Sequence, residues 1–199
     1  PLDLHLLFGS AGSGKSTALK QLALKLADEG ERNVYFIEEH KDNFKELIGE
    51  LDYRNLHPYY LVIERVGDVA IQLSEIIKSS NSDKAIFISS ENPKIWSSRV
   101  REHLDEFLTS STDISRINEN DAKLILEKLR TYGNWTRLSK MSEKNRKIEI
   151  LKKSKGQLLI GLIEATSGEG YNQIIKKDYK AITCESERAL LLLAGLATT

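Results

Sequence analysis

The chain has 199 residues, which is enough for one α/β domain with a substantial core and a small additional subdomain. Its basic and acidic residues balance at 29 each, so no overall field recruits nucleic acid or an anionic membrane, and no apolar stretch approaches the ~18 residues of a membrane span. The single cysteine, Cys184, excludes an internal disulfide framework and favours a reducing compartment, so we expect a cytoplasmic protein with a buried, inert thiol.

A glycine-rich motif stands close to the N-terminus. Residues 9–17 read Gly-Ser-Ala-Gly-Ser-Gly-Lys-Ser-Thr and fit the Walker A pattern G-x4-G-K-[ST], directly after the apolar run 4–8. Backbone N–H groups close around a phosphate only where the loop lacks bulky Cβ substituents and tolerates unusual φ angles. Gly9, Gly12 and Gly14 provide that freedom. The motif predicts a phosphate-binding loop between a strand and a helix.

The polar residues of this loop have separate expected roles. Lys15 places a positive charge on the β- and γ-phosphates and is a candidate catalytic residue, while Ser16 offers a hydroxyl to Mg²⁺. Thr17 stands at the helix N-terminus, where the helix dipole favours anions. We therefore expect ATP and Mg²⁺ as ligands. The predicted nucleotide-binding residues are Gly9, Gly12, Ser13, Gly14, Lys15, Ser16 and Thr17.

Strand-like and helix-like segments alternate through the first part of the chain, which predicts a parallel sheet with helices on both faces. The predicted strands are 4–8, 33–37, 59–63, 84–89 and, more weakly, 112–117. The predicted helices are 15–28, 41–51, 68–78, 96–107 and 118–130, the last capped by Asn118 to Asp121. The fold class is α/β, a three-layer P-loop NTPase sheet followed by an all-helical lid.

The strand pattern disappears from Gly133 onward. Helical periodicity predicts helices at 142–153, 157–166, 171–178 and 186–196. We therefore predict a P-loop nucleotide-binding α/β domain over 1–132 and a helical lid over 133–188, with 189–199 as the start of a truncated further domain. Both ends are expected to continue into more protein, since the chain lacks an initiator methionine and its last apolar run has no polar terminator.

An acidic residue at the end of a neighbouring buried strand is the second element of a P-loop NTPase, because it holds Mg²⁺. Glu64 follows the apolar strand 59–63 and is the predicted metal-binding and catalytic acid. Arg65 stands where hydrolysing members often carry a second acid, and a guanidinium cannot act as a base because it stays protonated. Asp68 is the nearest substitute. We expect ATP hydrolysis to be weak or absent.

Other polar groups leave several interpretations open. One of the residues that end the fourth strand could sense the γ-phosphate, and these are Ser89, Ser90, Glu91 and Asn92. The basic residues of 140–155 would form a solvated helix face, from which an arginine or lysine could reach the nucleotide. The histidines are dispersed without metal-ligand spacing, and we assign none of them to a metal.

The later part of the chain carries a second pattern, which lies at Asp121-Ala122, Leu129, Gly133, Trp135, Leu138, Arg146, 156–160, 164–171 and 191–198. Together with the glycine loop, it resembles the NTPase module of prokaryotic STAND-type proteins. These are multidomain ATPases related to AAA+ proteins, which serve as signalling switches and are often found in antiviral defence. The resemblance implies an ATP site between an α/β core and a helical lid, with a winged helix beginning at 190–199.

The same resemblance implies effector and sensor domains in the same chain and a homo-oligomer on activation. This sequence departs from the family pattern at Glu64-Arg65, where an acidic pair is expected, and at Glu91, where an arginine is common. No proline lies near Gly156, where many relatives have a Gly-x-Pro motif. Phosphate binding is unaffected by these departures.

The sequence leaves three hypotheses for the function. The leading hypothesis is a regulatory ATP-binding switch within a larger sensor. The second is a small-molecule or nucleoside kinase, which would need an arginine-rich lid, whereas the lysine-rich lid here has only the dispersed arginines Arg130, Arg137 and Arg146. The third is a catalytically inactive oligomerisation scaffold, for which an intact Lys15-Ser16-Thr17 would be surplus.

Overall fold

The computed structural model describes residues 3–38, 43–79, 84–133, 138–153, 157–167 and 169–197. The chain divides into two compact units, Pro1–Arg116 and Ile117–Thr199. Within the described residues, no helix is both long and apolar enough to cross a membrane.

The first unit is built on five parallel strands in the order β2-β3-β4-β1-β5. The strands are β1 (Asp3–Phe8), β2 (Val34–Ile37), β3 (Tyr59–Ile63), β4 (Ala85–Glu91) and β5 (Leu108–Asp113). The connecting helices are α1 (Lys15–Glu29), α2 (Phe44–Arg54), α3 (Ala70–Ser79), α4 (Pro93–Ile95) and α5 (Arg101–Leu104), with a π-helical turn at Trp96–Val100 and 3-10 turns at Val66–Asp68 and Asp105–Phe107. The α/β, parallel-sheet prediction is confirmed.

Both faces of the sheet are covered, which explains why β3 is apolar throughout. Leu61 and Ile63 are fully buried in a large cluster with residues of α2, α3 and α5. Val62, which points to the opposite face, packs with Leu19 and Ala23 of α1. Alternate residues of one strand therefore bury against different helix layers, as expected for a parallel sheet with helices on both sides.

The fifth strand is not where the sequence predicted it. The prediction placed it at 112–117, whereas the structure has it at Leu108–Asp113, paired with β1. Its residues after Leu108 are exposed, because β5 is the edge strand of the sheet. An edge strand is held by backbone hydrogen bonds on one side, so a polar sequence can occupy it without any hydrophobic pattern.

The fourth strand is longer than predicted. It continues past Ser89 to Glu91, because Ser90 pairs with Leu7 and Glu91 pairs with Phe8 in the parallel ladder to β1. Several helices also differ at their ends: α2 ends at Arg54 instead of Leu51, and the helical stretch after β4 begins at Pro93. Pro93 is well suited to begin a helix because the first helical residue needs no hydrogen-bonded N–H.

The second unit is helical in its described part. It contains α6 (Glu119–Tyr132), a 3-10 turn (Leu138–Lys140), α7 (Glu143–Ile148), a π-helical turn (Glu149–Lys153), α8 (Leu158–Thr166), α9 (Tyr171–Ala181) and α10 (Glu185–Ala197). The predicted cap of α6 is present as a capping box: Asn118 Oδ1 accepts from the N–H of Asp121, and the Asp121 carboxylate accepts from the N–H of Asn118.

The division between the units differs from the predicted boundary at 132/133. Residues of α6 pack with the helices that follow: Ala122 and Leu126 share a cluster with Leu138, Ile150 and Ala165. The helix therefore belongs to the second unit, which starts at Ile117. The predicted start of a further domain, at residue 189, falls within α10.

The thiol of Cys184 is exposed, contrary to the expectation of a buried one. It lies just before α10, with its Sγ 2.9 Å from Ser186 Oγ. The hydrogen bond with Ser186, followed by those from the backbone of Glu187 and Ser186, lowers the pKa of this thiol.

Candidate functional site

The strand order places a topological switch point between the neighbouring strands β1 and β4. From β1 the chain goes by way of α1 to β2 on one side of the sheet, and from β4 it goes to β5 on the other side. Ligands of open α/β sheets bind at such a switch in direction. The glycine loop follows β1 here, and the N–H of Gly9 donates to the main-chain oxygen of Glu91 at 3.1 Å.

The loop has the geometry that its glycines predict. Gly12 and Gly14 have φ angles of 72° and 91°, in the left-handed region that favours glycine. A Cβ on Gly9 would lie 2.2 Å from Ser13 Oγ and 2.9 Å from the Cγ of Lys15, so no larger residue fits without displacing the loop. The three glycines are therefore required by backbone conformation or by close approach.

Lys15, the first residue of α1, folds back over the loop. Its Nζ donates to the main-chain oxygens of Gly9 at 2.9 Å and Ser10 at 3.0 Å. Partial burial lowers the pKa of Lys15, and the negative charge of Glu91 opposes that effect. The structure thus holds a half-buried cation over the loop, in electrostatic contact with a carboxylate.

The hydroxyl groups of the loop differ in exposure. Ser13 is buried, and its Oγ has no hydrogen-bond partner among the described residues. Ser16 and Thr17 are exposed on the first turn of α1, which has no acidic residue and no side-chain cap at Gly14. The first N–H groups of an α-helix have no partner within the helix. An orphaned buried hydroxyl beside such a helix end fits a ligand rich in oxygen acceptors.

The predicted acid, Glu64, lies directly after β3 and is half-buried. The pKa of Lys20 on α1 is raised, mainly by its hydrogen bond to Glu38 and in smaller part by the charge of Glu64. The charge of Glu64 therefore reaches Lys20, which lies one turn along α1 from Ser16.

The donor set also fits a particular kind of metal site. The described side chains form no cluster of three or more His, Cys, Asp or Glu groups that could hold a metal alone. Mg²⁺ keeps several waters and is usually bound through one or two protein oxygens plus the phosphates of a ligand. A hydroxyl such as that of Ser16 and a carboxylate such as that of Glu64 are the kinds of protein oxygen that Mg²⁺ takes.

Arg65 has an unusual backbone conformation. Its φ of 53° is the one positive value at a non-glycine residue in the described part of the chain. The side chain is 67% exposed and forms an ion pair with Asp68 at 3.1 Å. Arg65, which stands where a second acid is expected, is thus paired with Asp68, the nearest acid that could take that role.

The polar residues at the end of β4 have separate roles. Ser89 Oγ donates to the main-chain oxygen of Ile63, and Asn92 Oδ1 caps α4 by accepting from the N–H of Lys94. Glu91 is only 3% exposed, and its Oε2 accepts from the N–H of Gly67 at 2.8 Å. Sequence reasoning gave Glu91 no more weight than its neighbours, because its contact with Gly67 joins segments that are distant in the chain.

Of the candidate arginines in the helical unit, Arg146 forms hydrogen bonds within that unit. The guanidinium of Arg146 donates to the main-chain oxygens of Leu138 at 2.8 Å and Ser139 at 3.2 Å, so it holds the turn before α7. Arg130 is exposed on α6. Trp135, Arg137, Lys155 and Gly156 lie outside the described residues.

Comparison with known proteins gives one family match. The model of the family described as Novel STAND NTPase 5 matches residues 2–103, half of the chain, which includes the glycine loop and strands β1 to β4. No curated protein matches.

Solved structures that are similar to this chain include the following two. One is a structure of C. elegans PCH-2, with 16% identity and a TM-score of 0.45, in which the match covers 77% of this chain and 50% of that chain. The other is the crystal structure of Cdc6p from Pyrobaculum aerophilum, with 12% identity and a TM-score of 0.48, covering 64% of this chain and 43% of that chain. The chain thus spans half or less of the length of both.

Proposed function

Because this chain belongs to the family described as Novel STAND NTPase 5, we propose that it is the ATP-binding regulatory switch module of a larger multidomain protein. The observation that carries the proposal is the glycine loop at the end of β1. It combines left-handed glycines, a lysine turned over the loop and a buried hydroxyl, Ser13 Oγ, that has no partner among the described residues. Such a loop offers backbone donors and a positive charge to phosphate oxygens.

The individual roles follow from the chemistry of the groups. The loop residues Gly9, Gly12, Ser13 and Gly14 cradle the phosphates, and Lys15 exchanges its bonds to the loop carbonyls for bonds to phosphate. The N-terminus of α1 at Ser16 and Thr17 adds N–H donors. Mg²⁺ would be held by Ser16 and Glu64, and it would neutralise phosphate charge when bound.

We propose slow or absent hydrolysis. Arg65 cannot accept a proton from water, and the carboxylate of Asp68 is paired with it at 3.1 Å. A switch does not need turnover, because a ligand shifts a conformational equilibrium by its differential affinity for the two states. In this proposal, nucleotide occupancy changes which arrangement of the α/β unit and the helical unit is favoured.

The family resemblance extends the proposal beyond the nucleotide. It supports effector and sensor domains in the same protein, a homo-oligomer on activation, a cytoplasmic location and a part in antiviral defence. The kinase alternative needs lid arginines that bind the phosphates. The guanidinium of Arg146 instead donates to the main-chain oxygens of Leu138 and Ser139, which argues against a kinase. A pure scaffold would have no use for the lysine and glycine geometry of the loop.

Isothermal titration calorimetry with ATP and ADP, each with and without Mg²⁺, tests the proposal. We expect wild type to bind Mg·ATP and Lys15→Ala to lose roughly a hundredfold or more in affinity, the scale of losing charge-assisted hydrogen bonds. Glu64→Ala should weaken the dependence on Mg²⁺. The matched control is Lys25→Ala, which removes an exposed lysine from the same helix and should bind like wild type.

Failure of wild type to bind any nucleotide would contradict the proposal. Phosphate release by the wild type measures hydrolysis, which we expect to be slow. Transfer of phosphate to a small-molecule acceptor would favour the kinase instead.

A further inference from the structure

The charge of the whole chain is balanced, but its two units differ in sign. The helical unit, Ile117–Thr199, has 15 basic and 10 acidic residues, whereas the α/β unit, Pro1–Arg116, has 14 basic and 19 acidic residues. A surface with an excess of one charge raises the local concentration of solutes of the opposite charge. Small anions are therefore attracted to the helical unit.

Part of this positive charge lines a pocket of about 260 Å³ between α6 and α7. Its described lining includes one apolar side chain, Leu126, which packs into the core of the unit. Residues three, four and seven positions apart on a helix share a face, so the charged side chains of each helix point to the same side. The charged lining residues are Lys123, Glu127 and Arg130 of α6 and Glu143, Arg146 and Lys147 of α7.

Two of the four cations in this lining are available to a ligand. The side chains of Lys123 and Arg130 are exposed, and they form no ion pair or hydrogen bond with another described residue. Each can therefore turn towards a bound anion without breaking an existing contact. Lys123 and Arg130 lie two helical turns apart on α6, so a ligand between them meets both.

The other two cations are held in place. The guanidinium of Arg146 donates to the main-chain oxygens of Leu138 at 2.8 Å and Ser139 at 3.2 Å, and these neutral acceptors fix its position without cancelling its charge. Lys147 forms an ion pair at 3.4 Å with Glu143, whose side chain is 77% exposed, and exposed pairs of this kind contribute little free energy. The four cations and two carboxylates give the pocket a positive formal charge of two.

We propose that the pocket between α6 and α7 binds a small phosphate dianion, either inorganic phosphate or the phosphate group of a small phosphomonoester. The charge of the pocket matches a dianion, and the planar guanidinium of Arg130 can donate two parallel hydrogen bonds to one phosphate. The volume lies below the ~300–1,000 Å³ of most ligand sites, which favours a small group over a nucleic acid or a folded partner. This site goes beyond the proposed nucleotide switch, because it uses no residue of the glycine loop.

Isothermal titration calorimetry of the full chain with glycerol phosphate and with inorganic phosphate tests the proposal. The titrations are made at one low ionic strength and at about pH 8, where a phosphomonoester, with a second pKa of about 6, is a dianion. Every protein carries Lys15→Ala, which removes the cation of the glycine loop and with it phosphate binding there. We expect phosphate to bind, and acetate, a monoanion, to bind at least about fivefold more weakly.

The two phosphates distinguish the sources of the ligand. Tighter binding of inorganic phosphate assigns the pocket to the free ion, and tighter binding of glycerol phosphate assigns it to a phosphomonoester. Binding of neither, or equal binding of acetate, would overturn the proposal. Because the glycine loop takes no part in these titrations, their outcome is independent of whether wild type binds nucleotide.

Matched variants of α6 locate the site. Lys123→Gln and Arg130→Gln should each weaken phosphate binding about fivefold to tenfold, the effect of one unit charge about 6 Å from a dianion at the dielectric constant of water, slightly screened by salt. Lys128→Gln makes the same change on the same helix. Because Lys128 lies over the ring of Tyr132 and lines a different pocket, its replacement should leave phosphate binding unchanged.

Glu127→Gln gives a readout that structural damage does not produce. It removes a negative charge from the pocket and should tighten phosphate binding by a similar factor. Weaker binding by Glu127→Gln would overturn the proposal. So would undiminished binding by Lys123→Gln and Arg130→Gln, or a loss in Lys128→Gln equal to that in Lys123→Gln, because overall charge would then account for the binding.

Discussion

Lys15 Nζ donates to the main-chain oxygen of Gly9 at 2.9 Å, so the ammonium group of the loop lysine contacts the first residue of the glycine loop. This contact requires the lysine stem to pass close to the backbone, and the missing side chain of Gly9 makes room for it. Gly9, Ser13 and Lys15 thus pack closely together, and the absence of a side chain at Gly9 leaves room for the other two.

Replacing Gly9 with alanine should disrupt the close packing of Gly9 with Ser13 and Lys15. The added Cβ would lie 2.2 Å from Ser13 Oγ and 2.9 Å from the Cγ of Lys15, so the loop must shift and ATP affinity should fall at least about tenfold. Gly49→Ala is the matched control: Gly49 lies within α2 with nothing within 4 Å of its Cβ position. It should raise the free energy of unfolding by about 0.5–1 kcal/mol with unchanged ATP affinity.

Asn118 should contribute measurably to the stability of the helical unit. Its side chain accepts from the N–H groups of Asn120 at 2.8 Å and Asp121 at 3.0 Å. Asn118→Ala should lower the free energy of unfolding by about 1 kcal/mol in urea titrations followed by circular dichroism. Asn120→Ala, whose side chain is not part of the capping box, should have a smaller effect, and equal losses in the two variants would argue against the cap.

Tyr59 should make the protein sensitive to alkaline pH. Burial, followed by the hydrogen bond that its hydroxyl donates to Asp52 at 2.9 Å, raises the pKa of Tyr59 above its ordinary value. A group whose pKa is higher in the folded state gives stability that is fully present below its unfolded pKa, about 10, and is lost as the pH rises further.

The corresponding variants are Tyr59→Phe and Tyr53→Phe. Tyr59→Phe should cost about 1 kcal/mol at pH 7 through the lost hydrogen bond, and should lose less stability than wild type between pH 9 and pH 11. Tyr53 is 90% exposed, so Tyr53→Phe should follow wild type at both values. An identical alkaline loss in wild type and Tyr59→Phe would show that Tyr59 is not responsible.

Local patterns predicted the elements that position the site. The strand before the glycine loop, the helix after it and the bounds of β3 follow from motif spacing and from an apolar run buried on both faces. The capping box of α6 could also be predicted from the sequence, because its two residues lie within one helical turn.

Features that depend on distant partners could not be predicted in the same way. The edge strand β5 is polar and is held by backbone pairing with β1, which leaves no side-chain pattern. The packing of α6 depends on Leu138, Ile150 and Ala165, and the burial of Glu91 depends on Gly67. Neither helical periodicity nor strand alternation carries information about such pairs.

The central claim, that the glycine loop of the folded chain binds Mg·ATP through Lys15, is tested most directly by ligand-linked stability. Urea unfolding of wild type, Lys15→Ala and Lys25→Ala would be measured with and without Mg·ATP. At about 100 times the dissociation constant, a ligand that binds only the folded state adds about 2.7 kcal/mol to the free energy of unfolding. We predict that gain for wild type and Lys25→Ala and its loss in Lys15→Ala. No gain in wild type, or an undiminished gain in Lys15→Ala, would contradict the claim.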